Sequence, residues 1–188
     1  MLPLISNPIV CFLCIALILA AVNDLRFRKI PNLLNFSVIA FSFFYHCWFH
    51  GIRGLIFSAS GMLLGVALLI GPYLLGGMGA GDAKLMGAVG AALGPKGVFI
   101  SFLYSAIVGG FYAGILLLVY RTHTRAIIVN MITGIKSLVY TRQWAPESTE
   151  HYEKSPRLCY GLAIALGTIT YMALERMGYS LFHGFMSL

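Results

Sequence analysis

Long apolar stretches separated by short polar segments make up most of this chain. A helix that crosses a bilayer needs about 20 mainly apolar residues, and five stretches approach or exceed that length. They are residues 4–22, 33–48, 55–75, 98–120 and 158–177. A sixth stretch, residues 83–93, is shorter and rich in glycine and alanine, which suits close packing between helices. The pattern predicts an all-α membrane protein built as a polytopic bundle.

The basic residues indicate how many of these stretches cross the membrane. If all six cross and the amino terminus lies outside, ten lysines and arginines fall inside and three fall outside. Such an excess is typical of cytoplasmic loops. The inside set is Arg26, Arg28, Lys29, Lys84, Arg121, Arg125, Lys136, Arg142, Lys154 and Arg157, and the outside set is Arg53, Lys96 and Arg176. We therefore predict about six transmembrane helices in a single integral-membrane domain over residues 1–188.

Composition supports the membrane class and excludes others. Of the 188 residues, 59% are apolar and 10% are charged, whereas soluble domains carry about 25% charged residues. The net charge of +7 is explained by the basic inside loops, so we expect no nucleic acid as a partner. Cys11 and Cys14 read C-x-x-C, but they lie within an apolar stretch and no second pair has metal-ligand spacing. We read them as packing residues and expect no metal and no cofactor.

Residues 121–157 form a polar region between the last two predicted spans. Within it, "AIIVNMITGIKSLVY" at 126–140 places Ile128, Ile132 and Ile135 on one helical face. Such a face predicts an amphipathic helix lying against membrane lipid at the cytoplasmic interface. The proline-containing stretch that follows predicts a loop.

Two aspartates stand out because the chain contains no others, and both lie at ends of predicted spans. Asp24 ends the first span and Asp82 begins the fourth, which places both on the cytoplasmic side in the six-span topology. Asp82 also closes the glycine-rich "GGMGAGD" at 76–82. Ionisable residues at membrane depth are costly, so each is a hypothesis for a functional site. Either aspartate could instead be a helix cap.

Two carboxyl groups a few ångströms apart cannot both ionise easily, so the pair shares a proton. The ionised group can take a proton from water, which then attacks a peptide carbonyl, while the protonated group donates to the carbonyl oxygen. The sequence therefore favours aspartic-protease chemistry. Two alternatives stay open: a proton-linked transporter or channel component with the aspartates as relay groups, and a non-enzymatic membrane assembly factor.

Three segments carry a resemblance to a known family. "GAGD" at 79–82 matches the G-x-G-D signature of intramembrane aspartic proteases, and "DLRFRKIPN" at 24–32 is similar to the first-aspartate motif of type IV prepilin peptidases. "PRLCYGLAIALG" at 156–167 resembles the segment that opens the last helix in that family. The three occur in the family's order and on the first, fourth and sixth predicted spans.

The resemblance implies roles for five residues. Asp24 and Asp82 would be the catalytic acids, and Gly79 and Gly81 would shape the turn that holds Asp82. Lys84 matches the basic residue after that aspartate, where it would tune charge or anchor the helix at the interface. The expected activity is cleavage of the leader from prepilins and pilin-like proteins at the cytoplasmic face of the bacterial inner membrane.

One feature departs from the longer members of the family. They carry a cysteine-rich cytoplasmic insert linked with zinc and methyl transfer, and the first inside loop here is too short to hold one. The chain resembles the short, peptidase-only branch associated with tight-adherence (Flp) pili, so methyltransferase activity is not expected. The oligomeric state is left open.

Overall fold

The structure, a computed structural model, describes residues 8–27, 29–74, 78–119 and 160–177. Its contacts group Met1–Gly109 with Cys159–Leu188 in one compact unit and Gly110–Leu158 in another. Of the second unit, the described part is a helical stretch at 110–119. The predicted interfacial helix and loop at 121–157 lie outside the described residues, so they stay a prediction, as does the single domain over 1–188.

Helices account for nearly all of the described residues. They are α1 (Pro8–Phe27), α2 (Asn32–Leu74), α3 (Ala80–Val119) and α4 (Tyr160–Arg176). The first two of these, and α3 as far as Ile115, are long and apolar enough to cross a membrane. These findings confirm the all-α membrane class. The number of crossings stays a prediction.

Two glycines interrupt the long helices. Gly51 in α2 has a φ of 57° and Gly94 in α3 has a φ of 74°, a left-handed conformation that residues with a β-carbon rarely adopt. Gly51 divides α2 into an arm α2a (32–50) and an arm α2b (52–74). Gly94 divides α3 into α3a (80–93) and α3b (95–119). A straight helix as long as α2, at about 1.5 Å per residue, would be roughly twice as long as a bilayer core is thick.

Side-chain contacts show that α2a runs parallel to α3a. Near the start of both arms, Asn35 Nδ2 donates to the Gly81 carbonyl oxygen over 3.3 Å. Near the end of both, His46 Nε2 lies 3.1 Å from the Ala92 carbonyl oxygen. Both contacts advance along the two arms in the same direction, so the arms run side by side.

The second arm, α2b, runs the opposite way. Ser58, near its start, donates to the carbonyl oxygen of Ala91, near the end of α3a, over 2.8 Å. Gly65, further along α2b, lies against Met86, which comes earlier in α3a. Because α2a is parallel to α3a and α2b is antiparallel to it, the chain reverses at Gly51. The two apolar stretches predicted on either side of residue 51 are thus two arms of a helical hairpin.

The short, glycine-rich stretch forms the centre of the compact unit. Every residue from 85 to 92 is buried, including Leu85, Met86 and Val89. A helix that is apolar all round is a buried helix. The small residues predicted there allow the neighbouring backbone to approach closely, since a β-carbon on Gly90 would overlap the carbonyl group of Gly61. Gly61 and Gly65, a G-x-x-x-G pair, therefore serve packing within the bundle.

The first helix extends further than predicted. The apolar stretch ends at residue 22, whereas α1 continues to Phe27 and includes Asp24 and Arg26. A basic residue in the last turn interacts favourably with the helix dipole. The helix can also continue through Asp24 because backbone N–H groups of α4 donate hydrogen bonds to its carboxyl group.

Gly61→Ala is expected to destabilise the protein by about 1–3 kcal/mol, because the added methyl group meets backbone atoms of Gly90 and Gly94 that cannot move aside locally. Gly71→Ala is the matched control on the same arm, since nothing lies within 4 Å of a β-carbon there. It should be neutral or slightly stabilising. Thermal unfolding of both variants in detergent checks this; equal melting temperatures would contradict the packing.

Candidate active site

Asp82 lies in the first turn of α3a and is 8% exposed. Its Oδ2 accepts a hydrogen bond from the Gly79 backbone N–H over 3.1 Å. In return, the Asp82 N–H donates to the Gly79 carbonyl oxygen over 3.1 Å. This reciprocal pair resembles a capping box. Asp82 therefore caps its helix with one carboxyl oxygen, and that bond fixes the direction in which the carboxyl group points.

The turn before Asp82 is held from the start of α2. Asn35, which is 1% exposed, donates to the Gly81 carbonyl oxygen. Lys84 Nζ donates to Asn32 Oδ1 over 3.1 Å. The two asparagines thus bind either side of Asp82. Lys84 thus joins α3a to the first residue of α2. Its predicted role, in tuning charge or anchoring the helix at the interface, stays a prediction.

The two glycines predicted to shape this turn contribute in different ways. The Gly79 N–H donates the hydrogen bond that the Asp82 carboxyl group accepts. A β-carbon on Gly81 would lie 3.4 Å from the Ile30 β-carbon, an ordinary contact, and the Gly81 carbonyl oxygen accepts the hydrogen bond from Asn35. Neither glycine has a positive φ, which among the described residues is confined to Gly51 and Gly94. The turn uses their backbone groups; Gly76 and Gly77 lie outside the described residues.

Asp24 lies in the last turns of α1 and is 7% exposed. The backbone N–H groups of Leu162 and Gly161 act on its carboxyl group as hydrogen-bond donors. These N–H groups belong to the first turn of α4, where a helix has no internal acceptors for them. A carboxylate at this position also interacts favourably with the helix dipole. The start of α4 therefore forms a receptor for the Asp24 carboxyl group.

Gly161 brings the backbone of α4 close to the Asp24 side chain. A β-carbon at this position would lie 2.8 Å from Asp24 Oδ2 and 2.9 Å from Ile30 Cδ1. Only a residue without a side chain leaves both groups where they are. Ile30 therefore contacts Gly161 on one side and Gly81 on the other, so it lies between the segments that carry the two aspartates.

The structure brings the two aspartates to the same place. Their carboxyl groups are close enough to interact electrostatically, although they come from different helices and lie far apart along the chain. The site is thus assembled from the end of α1, the start of α3a and the start of α4. Within the ranges that the structure describes, no group of three or more metal-ligating side chains is found.

Several residues of the site were not predicted from the sequence, among them Tyr160 and Asn35. Tyr160 begins α4 and interacts electrostatically with Asp82. The sequence did hint at Asn35, since a polar side chain that is buried in an apolar helix needs a hydrogen-bond partner. A role for Tyr160 could not be inferred from its residue type, because tyrosines are common where membrane helices end.

A cavity of about 410 Å³ lies elsewhere, at the reversal between α2a and α2b. It is lined by His46, His50, Arg53, Gly54 and Phe57. His46 contacts the Ala92 carbonyl oxygen, which belongs to the end of α3a opposite Asp82. The cavity is therefore separate from the two aspartates and supplies nothing to the candidate site.

A comparison with known protein families shows which family this chain belongs to. The model of the type IV leader peptidase family matches residues 11–114, more than half of the 188-residue chain. The chain belongs to the type IV leader peptidase family. The matched region contains both Asp24 and Asp82, whereas α4 lies beyond it, so the contacts of this family member's α4 with Asp24 come from the structure alone.

One curated relative of this family member is the prepilin leader peptidase/N-methyltransferase of Bacillus subtilis (strain 168). The two chains are 31% identical over 124 residues, which is 63% of this chain and 48% of the relative. The chain thus spans about half the length of this relative. No solved structure matches the chain.

Proposed function

We propose that this protein is a membrane-embedded aspartic endopeptidase that removes the leader peptide from prepilins and pilin-like proteins. The observation that carries the proposal is the meeting of Asp24 and Asp82, the chain's two aspartates, in a largely buried site. Membership of the type IV leader peptidase family supports the same activity. The name of the Bacillus subtilis relative points to a prepilin as the kind of substrate.

The surroundings of the two carboxyl groups indicate which one is ionised and which one is protonated. Asp24 faces two backbone N–H groups at the positive end of the α4 dipole, and hydrogen bonds to a charged acceptor are the strong ones. Asp82 has one such N–H, from Gly79, and faces the charge of Asp24. In a pair that shares one proton, Asp24 therefore carries the negative charge and Asp82 holds the proton.

These roles define a reaction for the peptide bond. Asp24 takes a proton from a water molecule, and the water oxygen bonds to the carbonyl carbon of the leader junction. Asp82 gives its proton to the carbonyl oxygen, which yields a neutral tetrahedral diol. The C–N bond then breaks as the departing nitrogen takes the proton that Asp24 received, while Asp82 recovers its proton from the diol.

The basic residues indicate on which side of the membrane the site lies. The excess of lysine and arginine in the predicted inside loops favours a cytoplasmic location for the ends of α1 and α3a. A prepilin with an apolar helix behind a short leader could place that helix in the bilayer and its cleavage site at this surface. We place the protein in the bacterial inner membrane, with pilins of the tight-adherence type among its substrates.

The connection between α1 and α2 supports a peptidase without methyltransferase activity. Only residues 28–31 separate Phe27 from Asn32, which leaves no room for the cysteine-rich insert of longer members. The methyltransferase part of the relative's name is therefore not extended to this chain.

The experiment that tests the proposal uses the full chain in liposomes with a prepilin carrying a basic leader and an apolar helix. Mass spectrometry is expected to find one cut, between leader and helix, and a fluorescent dye to show no proton flux across the liposome membrane. The double variant Asp24→Asn/Asp82→Asn is the inactive control. Proton flux without cleavage would instead support the relay function of a transporter, to which two buried acids in membrane helices would also be suited.

A further inference from the structure

Tyr160 is the first residue of α4 and lies beside the candidate site. It directly precedes Gly161, whose backbone meets the Asp24 carboxyl group. Its side chain is half-buried, whereas tyrosines at membrane surfaces commonly leave their hydroxyl groups in the wet interface. The position of this residue in the chain therefore fixes it beside one aspartate.

The ring of Tyr160 is held from a second helix. A β-carbon on Gly109 of α3b would lie 2.8 Å from Tyr160 Cε2. The ring therefore packs directly on a backbone that has no side chain at that point. Together with the anchoring of Gly161, this contact leaves the ring little freedom to turn away from the site.

Tyr160 also lies near the other aspartate, Asp82. Tyr160 and Asp82 interact electrostatically, and Ile30 packs between the backbone of Gly81, next to Asp82, and that of Gly161, next to Tyr160. Tyr160 thus lies near both acids: its neighbour's backbone serves Asp24, and its side chain interacts electrostatically with Asp82, to which it is not hydrogen-bonded in this structure. A phenol O–H can donate a hydrogen bond to a carboxylate oxygen.

We propose that Tyr160 is a positioning residue for Asp82, with its hydroxyl group donating, in the substrate complex, a hydrogen bond to the carboxyl oxygen that the Gly79 cap does not use; such bonds commonly tighten only when substrate binds. This inference rests on the proposed peptidase function. The bond aims the Asp82 proton at the substrate carbonyl. It also stabilises the Asp82 carboxylate that forms when that proton leaves, because a hydrogen bond to a charged acceptor is stronger than one to a neutral acceptor.

Tyr160→Phe tests the hydroxyl group while keeping the ring on Gly109. The expected result is a fall in kcat of about 10- to 100-fold, the range for losing a hydrogen bond to a charged group, with KM and the melting temperature unchanged. Tyr73→Phe is the matched control, since Tyr73 lies exposed near the end of α2b and should behave as wild type. A kcat within twofold of wild type for Tyr160→Phe overturns the proposal.

Gly109→Ala approaches the same residue from the other helix. Its methyl group displaces the ring edge of Tyr160, so kcat is expected to fall several-fold in the wild-type background. In the Tyr160→Phe background the same substitution should leave kcat unchanged, because the hydroxyl group is already gone. Equal falls in both backgrounds would show that the ring acts by packing alone, and would overturn the assignment.

The outcomes separate this proposal from the proposed function. A wild-type protein that does not cut prepilin contradicts the peptidase function itself. A wild-type protein that cuts, together with a fully active Tyr160→Phe variant, contradicts the role of Tyr160 and leaves the two aspartates as the catalytic pair.

Discussion

Replacement of either Asp24 or Asp82 by asparagine is expected to abolish leader cleavage, with kcat lowered at least about 10³-fold. Asparagine has nearly the same shape as aspartate, but its amide can neither accept the proton of the attacking water nor donate one to the carbonyl oxygen. Because the two acids share one proton and act as a unit, each single variant should be as inactive as the double variant. Single-turnover cleavage of a purified prepilin measures the three variants side by side.

The control for this prediction removes an acid elsewhere. Glu175→Gln makes the same change of charge on an exposed residue in the last turns of α4, away from the residues that contact Asp24, and should retain wild-type activity. Melting temperatures of all variants establish that the bundle still forms. If either aspartate variant keeps a tenth of the wild-type rate, the proposed division of roles is wrong.

Much of the helical architecture could be predicted from apolar runs and glycine content. The break between the stretches at 33–48 and 55–75 coincides with the reversal at Gly51, and the short stretch at 83–93 is the buried centre of the unit. The helix ends were predicted less well. An apolar window stops at the first charged residue, whereas α1 continues through Asp24 because its carboxyl group meets N–H groups on another helix.

The sequence pointed to the two acids of the candidate site and to the glycine turn before Asp82, but not to the contacts around them. Asp24 and Asp82 stand out because aspartate occurs nowhere else in the chain and a charge in an apolar helix requires a reason. What surrounds them depends on contacts between distant segments, which local pattern does not encode. Tyr160 and Gly161 are ordinary residues for the start of a membrane helix, and only the packing of α4 gives them a place beside the acids.

Gly161→Ala is expected to lower kcat about 100-fold without a comparable loss of stability. The added methyl group would lie 2.8 Å from Asp24 Oδ2 and 2.9 Å from Ile30 Cδ1, and both atoms end flexible side chains that can turn aside at little cost to folding. The Asp24 carboxyl group must then leave its place, and a displacement of about 1 Å at a reacting group can cost 10²-fold in rate. Gly110→Ala is the matched control, since nothing lies within 4 Å of a β-carbon there. Cleavage kinetics and melting temperatures of the two variants decide the matter: wild-type kcat in Gly161→Ala would mean that Asp24 works from a position other than the one that α4 supports.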